Sequence, residues 1–105
     1  MDTLNLIEHD WQQLLALLPK HRDQAAYKLG AFTRKRQIQS PDELLRLAFV
    51  YVWGELSLRN TAAWAAQKQV AELSDVALLE RFQKAQTWMA WLAGQMLRNF
   101  CTVVL

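Results

Sequence analysis

The chain has 105 residues, enough for one domain with a core of its own, and 52% of them are hydrophobic against 21% charged, which excludes compositional disorder. Three Gly and two Pro supply too few tight turns for an all-β fold, and the abundant Leu, Ala, Gln and Arg favour helices. The expected class is all-α: a single helical domain over residues 1–105, built as a compact bundle of about five helices. The net charge is only +2, yet six Lys/Arg and one acidic residue fall between Lys20 and Arg36, so the basic character is local.

Leu4, Ile7, Trp11, Leu14, Leu15 and Leu18 recur at three- and four-residue steps, which predicts an amphipathic helix over 3–18, stopped by Pro19. "RDQAAYKLGA" predicts a shorter helix closed by Gly30, and "FTRKRQIQ" a basic loop. "SPDELLRLAFVYVWG" opens with Ser40 as cap, Pro41 at the first helical position and Glu43 to complete a capping box. Arg46 is the only charge from Leu44 to Trp53, so this helix is expected to be buried nearly all round and to end at Gly54.

Ser57 is placed to cap a helix over 58–68, with Leu58, Ala62 and Ala65 on a narrow face. After "VAEL", Ser74 is placed to cap a long helix reaching about Arg98. Its predicted apolar face carries Leu78, Leu79, Phe82, Ala85, Met89, Leu92, Met96 and Leu97. The pair opened by Ser57 and Ser74 has two readings: a hairpin of a plain bundle, or a helix-turn-helix in which the second helix meets DNA. In the second reading Ser74, Asp75, Ala77, Arg81 and Lys84 lie on its exposed first turns, and Ser57, Arg59 and Asn60 begin its partner. Asp75 and Glu80 put negative charge on that face. Arg34, Lys35 and Arg36 form the chain's dense cationic run, either a solvated loop or a contact to phosphate.

Of the five tryptophans, Trp11 and Trp53 are expected in the core. Trp64 and Trp88 fall at the edges of apolar faces, and Trp91 falls among polar residues. Trp88 and Trp91 are therefore candidates for an interface with a partner subunit or a neighbouring domain. The apolar ending "NFCTVVL" suits a chain that continues. A lone Cys101 and the separated His9 and His21 give no metal-ligand spacing and no catalytic set, so neither a cofactor nor a metal is expected, and the chain is not expected to be an enzyme. "MDTLN" has no signal core and Leu47–Trp53 is too short to span a bilayer, so a cytoplasmic, non-membrane protein is expected.

The run "LLRLAFVYVWGELSLRNTAAWAAQKQVAELSDVALLERFQKAQTWMAWLAGQML", Leu44–Leu97, resembles the N-terminal region of bacterial insertion-sequence transposases of the IS-four group. An apolar helix ending in Gly is followed by "LSLR-TA--A" and then "LSDVALL-R---A--W---L". The upstream "GAFTRKRQIQSPDELLRL" resembles that group's basic segment. The matching positions are Ser57, Leu58, Arg59, Thr61, Ser74, Asp75, Val76, Leu78, Leu79 and Arg81. That group cuts and joins DNA with a DDE carboxylate triad and divalent metal, on a domain that follows this region, so none of its catalytic residues has a counterpart here. The resemblance implies a module that helps to recognise double-stranded DNA at the element's ends. Where the group often has Gly-Gly before "LSLR", this chain has Gly54-Glu55, which adds a charge near the proposed DNA face. The other readings are a helical protein-interaction or dimerisation module, and a truncated transposase remnant without activity.

Overall fold

A computed structural model describes residues 7, 9–33 and 38–104, with residues 99–104 described by backbone alone. Among the described residues every regular element is a helix: α1 (Trp11–Ala16), α2 (Arg22–Lys28), α3 (Pro41–Trp53), α4 (Leu58–Gln67), α5 (Asp75–Lys84) and α6 (Gln86–Val104). Successive helices pack in pairs from α2 to α6, and α6 returns to α2, so these five close into a ring. The body is flattened, 43 × 35 × 19 Å.

The start signals act as the sequence predicts, with one shift. Ser40 takes an extended backbone and its Oγ accepts from the Glu43 N–H at 3.2 Å, with Pro41 opening α3. Glu43 reaches back one residue further than a capping box requires, accepting from the Gln39 N–H at 3.1 Å. Helix α2 ends at Gly30, whose φ of +79° lets the Ala31 N–H turn back to the Ala26 carbonyl at 2.9 Å.

Three expectations are corrected. The N-terminal helix does not run unbroken to residue 18: Ile7 and His9 are helical, Asp10 leaves helical geometry at φ −114°, ψ 24°, and Trp11–Ala16 is a separate helix that ends at Leu17. Leu4 lies outside the described residues. Helix α3 is not buried all round. Its buried set is Pro41, Leu44, Leu45, Leu47 and Val50, while its last turn emerges, leaving Val52 62% and Trp53, expected in the core, 49% exposed. The long third-quarter helix is two helices. At Ala85 the backbone tightens (φ −91°, ψ 2°) and its N–H is shared between the carbonyls of Arg81 and Phe82, both at 3.1 Å.

Past that turn, α6 packs inward through Trp88 and Leu92. Trp88 is fully buried, and its Nε1–H donates to the Arg22 carbonyl at 2.9 Å. The same Arg22 forms a forked pair with Asp42, at 2.8 Å to one carboxylate oxygen and 3.2 Å to the other, and Nη1 donates to the Pro19 carbonyl at 3.2 Å. One residue thus ties together the starts of α2 and α3 and the first turns of α6. The Asp42 hydrogen bond holds the guanidinium pKa above its ordinary value, while desolvation and then the Asp42 charge push neighbouring Asp23 up. Phe32 and Ile38 are fully buried, so the basic segment, expected as a plain loop, is anchored to the core on both sides.

Candidate nucleic-acid interface

Helices α4 and α5 are packed neighbours joined by residues 68–74. The buried side of α4 carries Thr61, Ala62, Trp64 and Ala65. Thr61 Oγ1 donates to the Ser57 carbonyl at 2.8 Å, so a buried hydroxyl is satisfied within the first turn. The exit from α4 repeats the end of α2 without glycine: Gln69 takes φ +58°, and the Val70 N–H bonds the Ala65 carbonyl at 2.9 Å.

Both predicted caps form. Ser57 Oγ accepts from the Asn60 N–H at 3.0 Å, and Ser74 Oγ from the Ala77 N–H at 3.1 Å. Each serine is exposed, so its hydroxyl hydrogen still faces solvent. The two N-termini differ in charge. Helix α4 has no acidic residue anywhere in its length, whereas Asp75 opens α5 and its Oδ1 accepts from the Val76 N–H at 2.8 Å. A chain carboxylate thus already occupies the positive end of α5.

The predicted site residues separate into groups. Arg59 and Asn60 are exposed in the first turn of α4, and Lys84 is exposed at the end of α5. Arg81 is turned inward, half-buried with its guanidinium 5.3 Å from the centre of the Phe32 ring. This places it behind the anchor of the basic segment rather than on the outer face of α5. Arg34, Lys35 and Arg36 lie outside the described residues. Trp88 belongs to the core and not to an exposed interface, and Trp91 is half-buried against that core.

The exposed apolar surface is elsewhere. Phe49 and Trp53 stack with ring centres 4.5 Å apart, forming a ridge on α3. On one side lies a groove of about 350 Å³ lined by Tyr51, Val52, Phe82 and Met89, and on the other one of about 200 Å³ lined by Leu14, Leu17 and Met96. The sequence missed this patch because the all-apolar run "FVYVW" carries no periodicity to tell inside from outside. Among the described residues no group of three or more His, Cys, Asp or Glu could hold a metal ion, and no helix is long and apolar enough to cross a membrane.

No protein-family model matches the chain, and no solved structure matches it significantly. The chain is 43% identical over 96 residues to the putative transposase InsL for insertion sequence element IS186A of Escherichia coli (strain K12). It is 42% identical over 97 residues to the transposase for insertion sequence element IS421 of Escherichia coli. Each match covers 90% of this chain and 26% of the relative, so the chain spans about a quarter of the length of the curated relatives it matches. Homology to insertion-element transposases therefore extends over nearly all of it.

Proposed function

We propose that this chain is the DNA-binding helical module of a transposase, corresponding to its N-terminal region, which recognises double-stranded DNA at the ends of an insertion element and is not catalytic by itself. The homology over 90% of the chain is the observation that carries this reading, and the capped α4/α5 pair with Arg59 and Asn60 exposed supports it. Arg34, Lys35 and Arg36, on a segment pinned by buried Phe32 and Ile38, supply phosphate contacts that position the duplex. Strand cleavage and joining belong, in this reading, to the part of the relatives that the chain does not match. A gel-shift series with an element-end duplex and a scrambled one tests it. The element-end duplex is retained at low salt and Arg59→Ala weakens retention; equal failure of both duplexes to bind overturns the reading and leaves an inactive remnant.

The exposed Phe49–Trp53 ridge favours a second role, self-association of two copies through the α3 face in place of the Trp88/Trp91 side. Sedimentation reads it: Trp53→Ser lowers the mass of any dimer, and an identical mass for wild type and variant removes this role.

A further inference from the structure

Which helix of the pair reads DNA can be argued from charge and side-chain size, taking the DNA-binding reading as given. In the usual arrangement the second helix enters the major groove. Here the second helix, α5, exposes Val76, Leu79, Glu80, Gln83 and, at its far end, Lys84, with Glu72 just before it and Asp75 at its start. Its Val76 and Ala77 amides, which would meet phosphate, are already held by the Asp75 carboxylate and the Ser74 hydroxyl. Three carboxylates would thus approach a polyanion together.

Helix α4 carries less negative charge: the carboxylate leading into it is the exposed Glu55, two residues before its Ser57 cap, and none follows within the helix. Thr61, Ala62, Trp64 and Ala65 are buried, and the outward face is Arg59, Asn60, Ala63, Ala66 and Gln67, without a carboxylate. Ala63 and Ala66 are small enough to let the helix backbone sit close to base edges, and their methyl groups match the thymine methyl. Arginine pairs with guanine O6 and N7, and Asn and Gln pair with adenine N6 and N7. From Asn60 to Gln67 the helix rises about 10 Å, at about 1.5 Å per residue. Base pairs are spaced by about 3.4 Å, so that rise spans about three steps of the duplex.

We propose that α4, not α5, enters the major groove, with Arg59, Asn60 and Gln67 reading base edges and Ala63 and Ala66 permitting the close approach. The test selects binders from a pool of random-sequence duplexes with the wild-type chain and four exposed-residue variants: Asn60→Ala, Gln67→Ala, Val76→Ala and Gln83→Ala. The wild type enriches a motif. Asn60→Ala and Gln67→Ala each relax one adenine position, about three steps apart, with discrimination there falling roughly 5- to 100-fold. Val76→Ala and Gln83→Ala leave the motif unchanged. A fifth variant, Ala63→Leu, keeps the wild-type melting temperature and binds at least about tenfold more weakly, since a branched side chain holds the helix off the groove floor. A motif altered by the α5 variants and not by the α4 variants overturns this assignment while DNA binding stands. Binding without any motif removes base reading by either helix. Retention of no duplex at low salt overturns the DNA-binding reading, and this inference with it.

Discussion

Glu55 holds φ at +56°, a left-handed backbone where a side chain is disfavoured by roughly 1 kcal/mol relative to glycine. Gly54, the residue expected to end α3, has an ordinary helical φ of −78°. The second position of the turn is therefore the one that favours glycine. Glu55→Gly is expected to raise the unfolding free energy by about 1 kcal/mol, read as a higher melting temperature; an unchanged or lower one contradicts this account of the turn. Trp88 carries a different lesson. A helical wheel drawn through residues 74–98 as one straight helix puts Trp88 at the edge of the apolar face. In the structure the ring lies in the core, in step with buried Ala85 and Leu92, and its N–H meets the Arg22 carbonyl, a partner 66 residues away that no wheel displays.

Among the elements, the helix starts were the most legible, because Ser40, Ser57 and Ser74 each act through a local bond to an amide three residues on. Which face of a helix meets solvent was less so. The outward face of α3 depends on where α4 departs, a tertiary fact that the run Phe49–Trp53 does not encode. The node at Arg22 was equally hidden, since Arg22 and Asp42 lie twenty residues apart in sequence. It yields a pH prediction. The folded pKa of Asp23 is raised, so the folded chain binds that proton more tightly than the unfolded one, and the stability this confers is lost as pH rises through the ordinary aspartate range and the raised value. Asp23→Asn is therefore expected to melt above wild type at neutral pH, with the gap closing in acid. A gap independent of pH contradicts that origin.

For the whole molecule, class and composition were legible from the start, because helix formers and scarce turn residues leave few other solutions. The candidate site was legible in part. Arg59, singled out by the family resemblance, and Asn60 beside it are exposed, while the inward turn of Arg81 depends on Phe32, a residue nearly fifty positions away in sequence. A ring of helices carries an acid-free outward face on α4 and an apolar ridge on α3. The central claim is that the chain engages duplex DNA through cations placed on phosphates. The most direct measurement is the affinity for an element-end duplex as a function of salt, followed by fluorescence anisotropy. If Arg34, Lys35 and Arg36 each neutralise one phosphate, log K falls against log salt with a slope of about −2.7, at about −0.9 per phosphate. A slope near zero, or no binding at low salt, contradicts the account.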